Sequence, residues 1–464
     1  MAAQATALAA PDSALIGRIL LAEDRRDSLD EGIVLGLRHA DARVRTLALR
    51  ARARIRDPKF AGRDSLPLLP TPTVWPEAAW RLRFRALTGQ RNDCQAIRLA
   101  LTDSAWAVRL RAADLVGAPC DHDAVILATL RSWLDALPMD ASRRVSGGVS
   151  WHAGAHALVA LARVRSTDAE ARLSALATHR QWQLRAYAAR AASALADTQR
   201  LRTLARDPDD NVKEAAIDAL TKLSGHTEDE LYLGALAADG AQAVRAAALA
   251  LKGSPRSDAQ TAANAAFDRW VARANTSARD ARVALLEAAG RPASDDTPPA
   301  RRVELPPRAV ALALGADIRL RVTLSPASGG GTFVVRLRGD VAPMMAARIL
   351  ALVRAGYYDG LTWHRVEPDF VIQGGSPGAT EYVGSAQFFR DELGTVPHTR
   401  GTVGMSTRGH DTGDAQWFVN LRDNRRLDSD YTVFAEVTDG MGVVDGILEG
   451  DAMASVVEIP PRRR

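Results

Sequence analysis

The chain has 464 residues, 47% hydrophobic and 25% charged, with a formal net charge of +5 and a pI near 9.5. That length exceeds one hydrophobic core of ordinary size, so at least two domains are expected. No stretch approaches the roughly 18 consecutive apolar residues of a membrane span, and two cysteines, Cys94 and Cys120, do not make a disulfide framework.

Met1 to Ser13 lacks a basic segment followed by an apolar one, so at face value the protein is soluble and cytoplasmic. Ala2 to Asp12, with Ala9-Ala10 before Pro11, has the look of a trimmed signal peptide, which keeps a periplasmic or envelope location as the alternative. From there to residue 289 the chain is rich in alanine, leucine and arginine with few β-branched runs, a composition that favours helices. A pattern recurs within it. Asp41-Ala42-Arg43-Val44-Arg45 precedes Leu47 and Ala48, and Asp103 to Arg109 precedes Ala112 and Ala113. Gln181 to Arg185 leads into Ala188, Asp209 to Lys213 into Ala215, and Gly240 to Arg245 into Ala247, with weaker copies near Trp80, Trp151 and Val283.

The steps from Leu184 to Val212 and from Val212 to Val244 fall in the period range of stacked helical pairs, and the pattern resembles HEAT-type repeats. Such helix pairs bury their faces only against neighbours, so alanines at the crossings permit close stacking, and the valine-arginine pair is mostly architectural. Arrays of this kind offer a long surface for proteins or peptides, so a protein partner on the helical repeats is expected. Nucleic acid is an unlikely partner despite the basic run from Arg43 to Arg56, because aspartates precede the repeats and aromatic interleaving is sparse. Ser142 to Ser150, with Gly147-Gly148, reads as an interrupting loop. Cys120-Asp121-His122-Asp123 lacks a second ligand pair at zinc spacing and reads as a polar loop.

Residues 290–309 hold Pro292, Pro298, Pro299, Pro306 and Pro307 and read as a semi-rigid linker. Beyond it Ile318, Leu320, Val322 and Leu324 alternate with polar residues, Ser328 to Gly331 turns, and Phe333, Val335 and Leu337 continue the alternation: a hairpin. A helix follows, with Asp340 as its cap, Pro343 in its first turn, an apolar stripe of Ile349, Leu350 and Val353, and Gly356 as its stop. A second short helix, from Met441 to about Leu448, follows the Asp439-Gly440 turn.

Between the two helices lies Trp363-His364-Arg365-Val366-Glu367-Pro368-Asp369-Phe370-Val371-Ile372-Gln373-Gly374-Gly375, then Arg400 to Met405, Ala415 to Val419, and Tyr431 to Phe434. These segments, in this order, resemble the active-site signature of cyclophilins, the peptidylprolyl cis/trans isomerases, over roughly the last 150 residues. The resemblance implies a closed eight-stranded barrel capped by two helices. The expected fold is therefore multidomain: an all-α solenoid over 1–289, a linker over 290–309, and a mainly-β isomerase domain over 310–464.

The implied reaction, rotation about an X-Pro bond, needs neither a nucleophile nor a cofactor. The peptide bond resists rotation by roughly 18–20 kcal/mol because the nitrogen lone pair is delocalised into the carbonyl. A barrier near 20 kcal/mol gives about 0.01 per second, so a useful isomerase must remove on the order of 5–7 kcal/mol. Arg365, a permanent cation with forked donors, can bind the twisted amide better than either planar form. By the resemblance Arg365 and Gln373 are catalytic, Phe370, Met405, Phe418 and Leu427 surround the proline ring, and His364, Ser406 and Tyr431 lie at the rim. Ser406 stands where alanine is common and Tyr431 replaces a frequent histidine. Arg426 stands where many members have tryptophan, which implies weakened binding of cyclosporin-type macrocycles. The expected clients are proline-containing polypeptides, with assistance to folding as the outcome; the alternative is a proline-peptide-binding scaffold with little turnover.

Overall fold

A computed structural model describes residues 10–57, 71–137, 151–164, 166–273, 278–296, 307–385 and 387–460. The loop expected at Ser142 to Ser150 and half of the proline-rich linker, residues 297–306, lie outside these residues. The chain divides into two compact units. One comprises residues 1–77, 301–377 and 387–464; the other comprises residues 78–300 with the short segment Gly378–Ala386.

The second unit is all helical up to residue 296. Thirteen α-helices, from Trp80–Thr88 to Arg279–Ala288, follow one another among its described residues, and buried alanines and leucines join them in one continuous core. The repeating valine and leucine positions do face inward: Val108, Leu184, Val212 and Val244 are all buried. Asp93, Asp123, Asp197 and Asp209 cap four of these helices by accepting from backbone amides in the first turn. Several of the unit's arginines bridge one helix to the next. Arg185 grips Asp207 with two bonds of 2.7 and 2.8 Å, Arg83 grips Asp103, and Arg202 grips Glu228. Cys94 and Cys120 are joined by a disulfide, a correction to the sequence expectation: the helix Cys94–Ala100 and the 3-10 turn Ala118–Cys120 lie side by side, which two isolated cysteines far apart in sequence do not reveal. In the segment that closes the unit, Asn211 donates to the Gly378 carbonyl at 3.1 Å and the Arg245 guanidinium lies 3.7 Å from the centre of the Tyr382 ring.

The first unit is built round an antiparallel sheet of β1 (Arg319–Leu324), β2 (Thr332–Leu337), β3 (Thr362–Trp363), β4 (Arg365–Val366), β5 (Val371–Gly374), β6 (Thr402–Met405), β7 (Trp417–Asn420), β8 (Val433–Asp439) and β9 (Asp451–Ile459). The order is β3-β9-β1-β2-β8-β6-β7-β5-β4. Its two ends, β3 and β4, are halves of one strand interrupted only at His364, so eight strands close into a barrel. The expected β1–β2 hairpin is present, with Leu320 opposite Val335 and Val322 opposite Phe333. The helix Pro343–Arg354 and the short helix Met441–Asp445 follow where the patterning put them. Asp340 does not cap the first of these. It is held by Arg338 through two bonds of 2.9 Å, and the buried Glu392 carboxylate accepts from the amides of Met344 and Met345 instead.

The sequence reading ran the solenoid from residue 1 to 289, whereas residues 1–77 group with the barrel. The helices Ala10–Asp24, Glu31–Leu37, Ala42–Arg56 and Pro307–Gly315 contribute Ile16, Ile19, Val44, Leu47 and Val310 to one core with the barrel residues. Two arginines of the basic run are consumed here: Arg50 donates to the Val341 carbonyl and Arg54 to the Leu393 carbonyl at 2.7 Å. Further along, the Thr73 amide donates to Glu436 and the Trp75 indole to the Val437 carbonyl.

Candidate active site

The site is a row of cross-strand partners. Arg365 of β4 pairs with Gln373 of β5, Gln373 pairs with Phe418 of β7, and Phe418 pairs with Gly404 of β6. Directly opposed residues of antiparallel strands put their side chains on the same face. The row therefore gathers a cation, an amide and an aromatic ring from three segments distant in sequence, and the Phe418 ring fills the space that Gly404 leaves by having no side chain. A Cβ at Gly404 would overlap the Phe418 ring.

Gln373 is buried and its hydrogen bonds fix its orientation. Its Nε2 donates to Ser406 Oγ at 2.9 Å and to Gln416 Oε1 at 3.0 Å, which leaves Oε1 turned toward Arg365 Nη1, 3.5 Å away. Ser406 thus supports Gln373 through its side chain, while its own amide donates to the Gln416 carbonyl. Arg365 is half-exposed and loosely paired with Glu367 at 3.9 Å. The guanidinium sits beside the Gln373 amide and over the edge of the Phe370 ring, with forked donors of the kind that can engage a carbonyl or an amide nitrogen.

Beside the row, Val371, Phe418 and Leu427 form a small apolar cluster of their own, against which Phe370 and Tyr431 pack. The Phe418 and Tyr431 rings meet edge to face at 5.7 Å. Phe370 is anchored through its carbonyl, which accepts from the Leu421 amide and from Asn424 Nδ2. Leu427 is delivered by the 3-10 turn Arg425–Leu427.

Met405 belongs elsewhere. It is fully buried in the barrel core and pairs across the sheet with Trp417, one residue out of phase with Gly404 and Phe418, so strand alternation sends it to the opposite face. Val371, which shares the face of Gln373 by the same period of two, lies instead with Phe418 and Leu427. The alternation of the strand was signal enough to find it.

His364 breaks the strand between β3 and β4, and its ring nitrogens are enclosed. Burial pulls its pKa down to about 4, with the nearby Arg365 cation acting in the same direction, so the ring is neutral at physiological pH. It is a wall of the site rather than a proton donor. His398, which the sequence reading did not single out, is also completely buried. It stacks on Phe418 with ring centres 5.7 Å apart, and its Nε2 lies 3.1 Å from the Tyr431 carbonyl and its Nδ1 3.1 Å from Asn420 Nδ2. Burial lowers its pKa as well, so it backs the aromatic floor as a neutral ring.

The arrangement offers one forked cation and one oriented amide beside a small apolar cluster. Among the described residues no group of three His, Cys, Asp or Glu side chains is placed to hold a metal ion.

Comparison with known proteins identifies relatives of the C-terminal part of the chain. Residues 321–460 match the family described as cyclophilin type peptidyl-prolyl cis-trans isomerase/CLD. A peptidyl-prolyl cis-trans isomerase of Helicobacter pylori is 37% identical over 131 residues, covering 27% of this chain and 80% of that protein. Peptidyl-prolyl cis-trans isomerase B of Bacillus subtilis is 36% identical over 129 residues, covering 27% of this chain and 90% of that protein. A crystal structure of a Cryptosporidium parvum cyclophilin type isomerase aligns with 32% of this chain and 100% of that one, at 21% identity and a TM-score of 0.29. With a barrel closed through the interrupted strand at His364 and relatives matched over four-fifths or more of their length, the chain belongs to the cyclophilin-type peptidyl-prolyl cis-trans isomerases.

Proposed function

We propose that isomerisation of X-Pro bonds runs on Arg365 as the catalytic cation and Gln373 as its oriented partner. Val371, Phe418 and Leu427, with Phe370 and Tyr431, receive the proline ring in this reading. The observation that carries it is the cross-strand row in which Arg365, Gln373 and Phe418 stand in register on adjacent strands. As the amide twists, its nitrogen lone pair localises, and a donor at the rim of an apolar cup stabilises that state more than either planar one. Ser406 and Gln416 hold Gln373 so that its carbonyl oxygen steadies the guanidinium rather than competing for the substrate. The test is NMR exchange of a short X-Pro peptide with the full chain and with Arg365→Ala. Accelerated exchange that collapses in the variant supports the assignment; equal acceleration by both would remove Arg365 from the chemistry, and no acceleration by folded wild-type protein would promote the proline-binding scaffold.

In the same reading the helical unit is a HEAT-like array that recruits a protein partner or client. The regular succession of helices, the inward valines and the exposed Leu82, Leu99 and Val125 support this. Replacing those three side chains with polar ones should abolish capture of a partner while peptide exchange continues. The Cys94–Cys120 disulfide favours the envelope alternative over the cytoplasm, since such bonds persist in oxidising compartments. Thiol labelling of acid-quenched cells tests this: unlabelled cysteines support the envelope, labelled ones the cytoplasm.

A further inference from the structure

Two guanidinium groups lie over the ring of Phe370. One is Arg365, 6.0 Å from the ring centre; the other is Arg426, only 4.3 Å away. From this geometry we infer that Arg426 is a specificity-determining residue that selects proline segments flanked by a carboxylate, Asp or Glu. The inference rests on the reading of the cup given above, because Arg426 is adjacent to Leu427 and covers Phe370, two residues of its wall.

The cations round this rim differ in how they are matched. Arg422 is bound to Asp369 at 2.9 Å and Arg425 faces Asp428 at 3.7 Å. Arg426 is exposed and forms no salt bridge among the described residues; it is held by the aromatic face alone. The acids of the same turn do not neutralise it, since Asp428 accepts from the His398 amide besides facing Arg425, and Asp430 forms no ion pair with Arg426. A guanidinium resting on a ring keeps its N–H edge free for a carboxylate, and the ring restricts its rotamers before the ligand arrives, so little further ordering is required. A peptide whose proline occupies the cup carries its neighbouring side chains past this edge. Exposure limits the effect to that of a surface pair, about two- to five-fold in affinity, weakening as salt screens it.

The experiment titrates the full chain with matched short peptides in which Glu, Gln or Lys stands on either side of the proline, reading affinity from chemical-shift changes and exchange from line shapes in the same spectra. The expected result is Glu binding about two- to five-fold tighter than Gln on at least one side, Lys weaker than Gln, a gap that closes at high salt, and its loss in Arg426→Gln. Equal affinities for Glu and Gln in the wild type would overturn the inference, as would a gap that survives in a folded Arg426→Gln protein. Should Arg426→Gln fail to fold, Arg426→Met, which keeps an apolar stem over the ring, decides the matter in the same titration. Affinity decides Arg426 and exchange decides Arg365, so bound peptides without accelerated exchange would count against the catalytic reading while leaving the selectivity result intact.

Discussion

Gly404 lies directly opposite Phe418 across β6 and β7, and the ring occupies the space that any side chain at 404 would need. Phe418 in turn is backed by the buried His398 ring and met edge to face by Tyr431, so two of its sides are already occupied. Gly404→Ala should therefore push the ring into the cup. Overpacking of this kind costs about 1–3 kcal/mol of stability. Because the strain falls on the binding face, peptide affinity should drop by about ten-fold, the equivalent of about 1.4 kcal/mol. Thermal unfolding and a peptide titration on the same sample check both. Unchanged affinity would mean the ring yields elsewhere and is not the floor of the cup.

Burial holds the His364 pKa at about 4, below its ordinary value near 6.5. The unfolded chain therefore binds the proton more readily than the folded one. The stabilising contribution of the neutral ring is present above pH 6.5 and is lost as pH falls from there towards 4. Two results should follow. The ring protons of His364 should titrate with a midpoint near 4, and exchange catalysis should show no step attributable to this residue between pH 5 and 8. His364→Gln should flatten part of the acid-side loss of stability. A midpoint near 6.5 would place the imidazole in water and dismiss the buried wall.

Strand alternation made much of the barrel legible. Leu320, Val322, Phe333 and Val335 carry a period of two that can only be a half-buried hairpin, and the structure pairs them in register. Met405 shows what happens when a motif is read without that parity: it stands beside Gly404 in sequence but faces the core with Trp417, while Val371, two residues from Gln373, lies with Phe418 and Leu427. Contacts between distant segments were beyond such reading. The Glu392 carboxylate caps a helix that begins nearly fifty residues earlier, and nothing local in either segment marks the pairing. The same holds for Ile16, Ile19 and Val44, whose helical pattern announces a buried face without saying that the barrel supplies the other side. Cys94 and Cys120 met because two helical elements lie together, a fact of packing rather than of spacing.

Arg282 and Asp296 form an enclosed ion pair near the end of the helical unit, with bonds of 2.7 and 3.2 Å and side chains only 1% and 2% exposed. Removing one partner leaves a buried charge uncompensated, a loss of about 3–5 kcal/mol. Arg282→Met should therefore lower the denaturant midpoint of the helical unit substantially. Adding Asp296→Leu should recover most of the loss, since two apolar groups of similar volume need no desolvation. A double variant as unstable as the single one would show that packing, not charge, is what Arg282 contributes.

The Cys94–Cys120 bond closes a loop with a sequence separation of 26 residues. By the chain-entropy relation, closing a loop of that size takes about 3.5 kcal/mol from the unfolded ensemble. Cys120 is buried, while the short helix Cys94–Ala100 has one fully buried side chain, Ile97, with Ala96 and Ala100 only partly buried against the core, so the bond fixes a lightly anchored element. Cys94→Ser with Cys120→Ala should lower the stability of the helical unit by up to about 3 kcal/mol, and adding reductant to the wild-type protein should reproduce the shift. The barrel contains neither cysteine, so peptide exchange should persist in both cases. Unfolding in denaturant, followed by Trp fluorescence with and without reductant, measures the difference. Identical midpoints would mean that helix packing alone holds the segment and that the disulfide adds no stability there.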